Sequence, residues 1–373
     1  MGLPVPWEAA QPELSSALRR LSPNELSEAE ADPVNFLRRK AVASHITDEL
    51  TQLTVMPALN SGPVTAGVRP SGVDDRKWRQ IAYFNAVLST RRIPHVEQWV
   101  DWCAGKGHLG TALHERVHQP VTCVELNESL VVRGNERMRR TGQAVAFVRS
   151  DVLSDNLSAT LTAETGVAAL HACGHLNSRL FELARQFRPT FMAVVPCCYQ
   201  RIDGMRFSPL SAAGKKTGLE FTRHQLRLPA LDEVKTSPGR REFRRREMAF
   251  RLGVDLLFRE ASGNIVYTPL GKIPPNVVRG SFQSFAKFAA NKMVQSLPLQ
   301  VRWQAAEKAG WRQYQLVSAL SISRQLFRRA IEVWLFLDRV AFLEESGYSV
   351  QYGEFCPREI TPRNLMLLAT FNP

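Results

Sequence analysis

The chain carries, at positions 96 to 110, the stretch Val96-Glu-Gln-Trp-Val-Asp-Trp-Cys-Ala-Gly-Lys-Gly-His-Leu-Gly110. An apolar run is followed by a glycine-rich turn and a helical pattern, which predicts a buried strand leading through a loop into a helix. Gly105, Gly107 and Gly110 match the pattern G-x-G-x-x-G. Missing side chains there let the backbone approach a ligand at a helix N-terminus, as in the binding of dinucleotides or S-adenosylmethionine.

Asp101 stands at the end of the predicted strand, directly before the loop. A carboxylate at this point would repel the pyrophosphate of a dinucleotide but attract the ammonium and sulfonium groups of S-adenosylmethionine. The loop therefore favours the methyl donor, although Lys106 mildly favours a phosphate and a chance glycine turn stays an open alternative. The predicted cofactor-binding residues of this loop are Asp101, Cys103, Ala104, Gly105 and Gly107.

Two further acidic residues follow the next two predicted strands. Glu125, with Leu126 beside it, is expected to hydrogen-bond the hydroxyls of an adenosine ribose. Asp151, with Val152 beside it, is expected to accept from the adenine amino group. Each acidic residue could instead cap the segment that follows it. Their shared place at consecutive strand ends favours a cofactor site.

Strands and helices alternate in the middle of the chain at the spacing of βαβ units, which predicts a parallel, doubly wound sheet. A final pair of strand-like segments predicts an antiparallel hairpin. The expected α/β fold is thus a Rossmann-like, seven-stranded methyltransferase sheet. Its predicted strands are Val96–Asp101, Val121–Glu125, Ala144–Val148, Val167–Leu170, Phe191–Val195, Tyr348–Phe355 and Asn364–Thr370.

Helical patterns before and within this alternation predict three regions. Residues 1–62 form an N-terminal helical region, and residues 63–200 with 345–373 form the Rossmann-like domain. Residues 201–344 form a large, mainly helical insertion between strands five and six, expected to bind the substrate. Its predicted helices are Arg241–Phe258, Ser281–Gln295, Val301–Ala309 and Ala319–Glu345.

The formal net charge of the 373-residue chain is +13, and the predicted insertion holds 25 basic against 12 acidic residues. A basic module favours a polyanion, because neutralised phosphates release counterions. RNA is therefore the predicted partner, while a solvated, arginine-rich helix face is the alternative. The densest basic run surrounds Phe243 and comprises Arg240, Arg241, Arg244, Arg245 and Arg246.

Polar and thiol residues follow strands four and five, where the parallel strands would bring them to one cleft. His171 is a candidate general base or cofactor contact. Cys173, Cys197, Cys198 and Tyr199 are the other candidate catalytic residues. A thiol could attack a carbon or line the cleft as a small residue. A metal site from His171, Cys173, His175, Cys197 and Cys198 is a further alternative, but the short H-x-C-x-H spacing on a loop does not favour it, and no metal is predicted.

Composition limits the class of protein. No apolar run reaches membrane-spanning length, and residues 1–8 lack the basic start and apolar stretch of a signal peptide. No membrane association and a cytoplasmic location are therefore expected. Six cysteines without a disulfide framework are expected to be reduced thiols.

Four motifs together resemble one divergent methyltransferase-domain family, which includes the tRNA 2′-O-methyltransferases of the acceptor stem and methyltransferase-like proteins of unassigned substrate. The resemblance implies a Rossmann-like fold and S-adenosylmethionine. Cys103 replaces the first glycine of the common loop, and the zinc-finger elements of the acceptor-stem enzymes are missing. The motifs are Asp101-Trp-Cys-Ala-Gly-Lys-Gly-His-Leu-Gly110, Leu170-His-Ala-Cys-Gly174, Cys197-Cys198 and Thr361-Pro-Arg-Asn364.

The sequence therefore predicts an S-adenosylmethionine-dependent methyltransferase that modifies tRNA or rRNA and releases S-adenosylhomocysteine. Direct attack of the acceptor on the methyl group needs mainly proximity and orientation, which fits the lack of an obvious catalytic dyad. One alternative is a methyltransferase for a protein or small molecule. Another is a non-catalytic RNA-binding protein that keeps a relic cofactor fold.

Overall fold

The computed structural model describes residues 5–59, 64, 66–230 and 237–372. The chain packs as two compact units. The sheet unit comprises Thr54–Leu231 and Arg329–Pro373, and the helical unit comprises Met1–Leu53 and Asp232–Arg328.

A seven-stranded sheet forms the centre of the sheet unit, and its strands lie in the order β3-β2-β1-β4-β5-β7-β6. The first five strands are parallel, and β7 is antiparallel to both β5 and β6. The strands are β1 (Gln98–Trp102), β2 (Val121–Glu125), β3 (Val145–Arg149), β4 (Thr165–Cys173), β5 (Phe191–Cys197), β6 (Tyr348–Glu354) and β7 (Leu365–Phe371). This arrangement confirms the predicted Rossmann-like α/β fold and its closing antiparallel hairpin.

The described residues also form fourteen α-helices and two short 3-10 helices, Pro6–Glu8 and Gln225–Ala230. The first seven α-helices are α1 (Pro12–Arg19), α2 (Pro23–Ala31), α3 (Pro33–Arg39), α4 (Ser44–Leu53), α5 (Asp75–Ser89), α6 (His108–Val117) and α7 (Glu128–Thr141). The others are α8 (His175–Phe187), α9 (Ala212–Lys216), α10 (Pro238–Ser262), α11 (Pro275–Arg279), α12 (Phe282–Met293), α13 (Trp303–Gln325) and α14 (Arg328–Glu344).

Both faces of the sheet are covered, because neighbouring residues of a strand point to opposite sides. Trp99 of β1 packs in a core that includes residues of α5, α6 and α7. Val100, the next residue, packs in a second core with residues of α8 and α14. The strand order reverses between β1 and β4, and this switch point puts a ligand crevice at the carboxyl ends of these strands.

The helical unit is built around the crossing of α10 and α13. A Cβ atom added to Gly310 would lie 2.5 Å from the carbonyl oxygen of Ala249 and 2.9 Å from the Cα of Gly253, so the two backbones are in direct contact. An aromatic core with Phe250, Phe282 and Phe285 lies among α10, α12 and their neighbours. Helices α1 and α2 pack on α13.

The two compact units of the structure begin and end at other residues than the three regions predicted from the sequence. Residues 201–230 and nearly all of α14 lie in the sheet unit, since Val333, Phe336 and Val340 are buried in its second core. The predicted break after Ala309 is wrong, because α13 continues through Gly310 to Gln325. Glycine is tolerated there because its missing side chain allows the close approach of α10.

No helix in the described ranges combines the length and apolar character needed to cross a membrane.

Candidate functional site

The loop between β1 and α6 has a left-handed backbone at three positions. Cys103 has a φ of 57°, Gly105 of 60° and Gly107 of 69°. Cys103 thus adopts the conformation that favours glycine, at about 1–2 kcal/mol of strain. The cysteine that departs from the family pattern therefore keeps a glycine-like backbone.

The three glycines of the loop have different surroundings. A Cβ atom on Gly107 would lie 2.2 Å from Cζ of Phe147, and one on Gly110 would lie 2.5 Å from Sγ of Cys123. A Cβ atom on Gly105 would meet no atom within 4 Å. Gly107 and Gly110 therefore permit packing inside the protein, whereas Gly105 leaves open space beside the backbone that suits a bound ligand.

Asp101 lies at the carboxyl end of β1 and is only 2% exposed. Its Oδ2 accepts a hydrogen bond of 2.8 Å from the amide of Gly110, in the first turn of α6. Burial raises the pKa of Asp101 to about 7, against the opposing effects of this hydrogen bond and of the charge of Lys77. Asp101 thus connects β1 to the first turn of α6 by a hydrogen bond across the glycine loop.

Glu125 lies at the carboxyl end of β2, beside the same loop. Its Oε2 accepts from the amide of Gly105 at 2.8 Å, and its Oε1 accepts from the amide of Asn127 at 2.9 Å. The amide of Ala104 donates to the carbonyl oxygen of Val124. The carboxylate is therefore held against the loop, and the neighbouring Leu126 is 57% exposed beside it.

Asp151 and Val152 form the turn that follows β3. The amide of Leu153 donates to Oδ1 of Asp151 at 3.0 Å, and the amide of Asp151 donates to Oδ2 of Asp155 at 2.7 Å. Val152 is 4% exposed and belongs to the second core. Asp151 thus stabilises a turn, and its contact with adenine stays a prediction.

A β-bulge near the carboxyl end of β4 shapes the other half of the crevice. It lies between Leu170 and Cys173, and it brings Cys173 opposite Cys197 of β5. Gly174 packs against the next loop, because a Cβ atom on it would lie 2.1 Å from the carbonyl oxygen of Arg201. Its amide donates to the carbonyl oxygen of Cys197. The segments after β4 and β5 are thereby held together.

These segments bring three predicted thiols into one cluster. The Sγ atoms of Cys173 and Cys197 are 3.4 Å apart, and those of Cys173, Cys197 and Cys198 all lie within 4.8 Å of one another. Hydrogen bonds from Cys173 and Cys197 lower the pKa of the Cys198 thiol, and the charges of Arg201 and Arg363 add to this effect. One of the three sulfurs is therefore favoured as a thiolate.

His171 has a φ of 69° and is held by α5. Its Nε2 lies 2.5 Å from Oε1 of Gln80. Burial lowers the pKa of His171 to about 4, and the charges of Lys77, Arg363 and Arg76 contribute. The imidazole is therefore neutral at pH 7, with Nε2–H donating to the Gln80 oxygen. A role as general base stays a prediction.

Tyr199 is 4% exposed and packs with Phe207, Leu226 and Leu335. The guanidinium of Arg339 lies 5.0 Å from the centre of its ring. Burial raises the pKa of the Tyr199 hydroxyl, which therefore stays protonated. This predicted catalytic residue thus lies in a buried apolar cluster of the sheet unit.

Sequence reasoning missed the residues that α5 contributes to the crevice. Lys77 acts on the pKa values of Asp101, His108 and His171, which places its charge near both halves of the site. Gln80 is 3% exposed and lies one turn farther along α5. A signal was present, since Gln80 is a polar residue four positions before Phe84 on the apolar face of this helix.

His108, the first residue of α6, is a second missed residue. Its Nε2 is buried, and the described residues offer it no hydrogen-bond partner. Burial lowers the pKa of His108 to about 4, so the ring is neutral at pH 7.

The predicted basic run lies on α10 in the helical unit, and the fold already uses part of it. Arg245 donates to Ser27 at 2.8 Å and forms an ion pair of 3.3 Å with Glu30. Arg246 donates to the carbonyl oxygen of Gly280 at 2.6 Å. Phe243, which this run surrounds, packs on the core. Arg240 and Arg244 are exposed, and Arg241 is half-buried.

A family comparison identifies the class of this site. Residues 76–205 match the model of a family described as a methyltransferase domain. The match includes the glycine loop, the carboxylates and the thiol cluster. Together with the strand order, it shows that the chain contains a methyltransferase domain of the S-adenosylmethionine-dependent class.

Among curated proteins, the chain is similar to the mouse glutathione S-transferase C-terminal domain-containing protein. They are 32% identical over 151 residues, which cover 38% of this chain and 22% of the mouse protein. The human protein of the same name is 29% identical over 175 residues, covering 44% of this chain and 26% of that protein. The matched region thus spans about a quarter of these relatives.

Solved structures with a similar region include a tRNA (uracil-54, C5)-methyltransferase of Pyrococcus abyssi in complex with S-adenosyl-L-homocysteine. It is 18% identical with a TM-score of 0.25, over 32% of this chain and 28% of that one. A SAM-dependent methyltransferase of Aquifex aeolicus is 15% identical with a TM-score of 0.26, over 30% of this chain and 62% of that one.

Proposed function

We propose that this protein is an S-adenosylmethionine-dependent methyltransferase that modifies RNA. The methyltransferase part is supported by the family match over residues 76–205. It is further supported by the open space at Gly105, whose amide donates to the Glu125 carboxylate.

The cofactor supplies an electrophilic methyl group when it is bound. In this proposal, Gly105 and its neighbours approach the methionine part, Glu125 accepts from the ribose hydroxyls, and Leu126 covers the adenine. The cationic end would favour the ionised form of Asp101, whose pKa is raised to about 7 by burial, and Asp151 with Val152 borders the base. These carboxyl groups and apolar side chains lie at the carboxyl ends of consecutive parallel strands, where a doubly wound sheet binds its ligand.

The observation that carries the RNA part is the positive charge near His171 and Cys198, at the end of the crevice where we propose that the methyl acceptor binds. Arg76 and Lys77 of α5 and Arg363 before β7 all act electrostatically on His171. Arg201 and Arg363 act in the same way on Cys198. Positive charge from α5, from the loop after β5 and from the segment before β7 suits a phosphate backbone beside the reacting group.

The helical unit would extend this attraction. Exposed basic side chains on α10 and α13 include Arg240, Lys308 and Arg312, and Lys308 and Arg312 lie one turn apart. Basic residues on a helix surface bind phosphates without reading sequence. In this proposal, the sheet unit binds the cofactor and the reacting nucleotide, and the helical unit adds affinity for the RNA backbone.

The proposal is tested by labelled methyl transfer. The purified full chain is incubated with labelled S-adenosylmethionine and with RNA, protein and small-molecule fractions of cells that lack the gene. We expect label in RNA, and we expect the Arg76→Ala/Lys77→Ala double variant to lose RNA methylation while it still binds the cofactor. Label in protein or small molecules alone would contradict the RNA substrate. Absence of cofactor binding in calorimetry would contradict the enzyme itself.

A further inference from the structure

The thiol cluster of Cys173, Cys197 and Cys198 has a geometry that the proposed methyl transfer does not require. All three Sγ atoms lie within 4.8 Å of one another, at the carboxyl ends of two adjacent strands. Cys197 is buried, and Cys173 and Cys198 are half-buried. The three sulfur atoms therefore lie close together, and two of the three residues are partly exposed.

The fold builds this convergence from local irregularities. The bulge after Leu170 puts Cys173 in register with Cys197. Cys198 has a φ of 51°, a left-handed conformation that costs a residue other than glycine about 1–2 kcal/mol. Gly174 permits the close approach of the segment that follows Cys198. Strain of this kind persists where the surrounding structure enforces it, often at functional sites.

The spacing of the sulfurs fits one thiophilic metal ion. A Zn–S bond of about 2.3 Å and a tetrahedral angle place two ligand sulfurs about 3.8 Å apart. The observed 3.4 Å between Cys173 and Cys197 and the 4.8 Å limit for the three sulfurs lie on either side of that value. Thiolates are soft ligands that select Zn²⁺ over Mg²⁺ or Ca²⁺.

We propose that Cys173, Cys197 and Cys198 bind one Zn²⁺ ion through their three thiolates. Three thiolates and a divalent cation carry a net charge of −1, and the nearby charges of Arg201 and Arg363 offset it. Three protein ligands leave a fourth coordination position open, as in catalytic zinc sites. The proposal does not depend on the identity of the methyl acceptor.

This site departs from the expectation that the sequence contains no metal site. Cys173 and Cys197 are 24 positions apart, and Cys197 and Cys198 are adjacent, so no short zinc-binding repeat is present. The sulfurs meet because parallel strands end at one edge of the sheet. The spacing of the cysteines along the chain does not reveal that their sulfur atoms lie together.

The test measures metal binding directly on the full chain. Protein stripped of metal is titrated with Zn²⁺ in competition with a chromophoric chelator, and with Co²⁺ monitored by its thiolate charge-transfer absorption. We expect one ion per chain. Single Cys173→Ser, Cys197→Ser and Cys198→Ser variants should each lose more affinity than the roughly 10- to 100-fold that removal of an outer-shell partner costs. Cys356→Ser, on a buried thiol of the first core, is the matched control and should keep full stoichiometry.

Several results would overturn the proposal. They are Zn²⁺ or Co²⁺ binding below one ion per two chains, no thiolate absorption with bound Co²⁺, or unchanged affinity in all three variants. A cluster that oxidises to a Cys173–Cys197 disulfide before it takes up Zn²⁺ would also contradict it. Since Cys197 is buried, its variant is checked for folding by circular dichroism. The unmodified protein's Co²⁺ spectrum gives an answer that needs no variant.

Discussion

The carboxylate of Asp101 and the amide of Gly110 form a hydrogen bond of 2.8 Å that joins the end of β1 to the first turn of α6. The contact is tight, because a Cβ atom on Gly110 would lie 3.1 Å from the accepting oxygen. A carboxylate near a helix N-terminus is also favoured by the helix dipole. The glycine loop is therefore held at both ends, and its open side is at Gly105.

The first prediction concerns the pH dependence of the free energy of unfolding, and it follows from the buried carboxyl group of Asp101. Its folded pKa of about 7 lies above the unfolded value of about 3.9. Between these values the unfolded chain is ionised while the folded chain holds a proton. The free energy of unfolding therefore falls as pH rises, by up to ~1.4 kcal/mol per pH unit and ~4 kcal/mol in all.

Asp101→Asn removes this titratable group. The variant should therefore lose the part of the pH dependence of the free energy of unfolding that Asp101 causes. Urea unfolding of both proteins from pH 4.5 to 8 gives the difference curve. We expect the variant to gain stability relative to the unmodified protein as pH rises toward 7, and the difference to level off above it. Parallel curves would mean that Asp101 is ionised throughout this range.

The glycine loop gives the second prediction, from a pair of identical substitutions. Gly105→Ala and Gly107→Ala each place a side chain on a left-handed backbone, at about 1–2 kcal/mol. Only Gly107→Ala also collides with Phe147. We expect Gly107→Ala to be less stable than Gly105→Ala by about a further 1–3 kcal/mol in thermal or urea unfolding.

Cofactor binding should be weakened more by Gly105→Ala than by Gly107→Ala, which is the reverse of their order in loss of stability. Gly105→Ala fills the open space and should weaken S-adenosylmethionine binding in calorimetry while the protein stays folded. Equal stability of the two variants would argue against the collision with Phe147. Unchanged cofactor affinity in Gly105→Ala would argue against a ligand beside Gly105.

The sheet was largely predictable because its signals are local. The bounds of β2 agree with the predicted Val121–Glu125, and α6 stands where a helical pattern follows the glycine-rich turn. Alternating apolar residues and glycine turns mark such elements without knowledge of their neighbours. The continuous helix through Gly310 was missed for the opposite reason, since contact with α10 decides it.

The contacts of the site were less predictable than its residues. The three thiols and the three acidic residues were named, and parallel strands bring them to one edge of the sheet. The Gln80–His171 contact joins positions 91 residues apart, which no local pattern reveals. Arg245 is paired with Glu30 in the same way, so a basic run on α10 overstated the charge available to a partner.

Glu125 gives the third prediction. Both of its carboxylate oxygens accept from backbone amides, those of Gly105 and Asn127. In Glu125→Gln one acceptor becomes an NH₂ group that faces an amide donor, and the negative charge is lost. Hydrogen bonds to charged groups contribute ~1.5–3 kcal/mol, so cofactor affinity should fall about tenfold or more.

Glu128→Gln is the matched control for this change. Glu128 lies on α7 with a side chain that is 70% exposed and an ion pair of 3.4 Å to Arg149. Exposed ion pairs contribute little, so its loss should leave both stability and cofactor affinity nearly unchanged. Equal affinity of the two variants in calorimetry would remove Glu125 from the proposed ribose contact.

Two arginines of α10 give the fourth prediction, because the fold uses one and exposes the other. Arg245 is bound to Ser27 and Glu30, whereas Arg240 is exposed. Arg245→Ala should lower the free energy of unfolding by about 1 kcal/mol. Arg240→Ala should leave it within about 0.5 kcal/mol.

If the helical unit contacts phosphates, Arg240→Ala should weaken RNA binding more than Arg245→Ala does. This order is the reverse of their effects on stability. Loss of one phosphate contact reduces the slope of log affinity against log salt by about 0.7–0.9. Fluorescence anisotropy with a labelled RNA across a series of salt concentrations measures this slope. We expect the reduction in Arg240→Ala and a smaller one in Arg245→Ala, whose guanidinium is already neutralised by Glu30. If Arg245→Ala loses more affinity than Arg240→Ala at equal folded fraction, the RNA contacts Arg245 and the ion pair with Glu30 opens on binding.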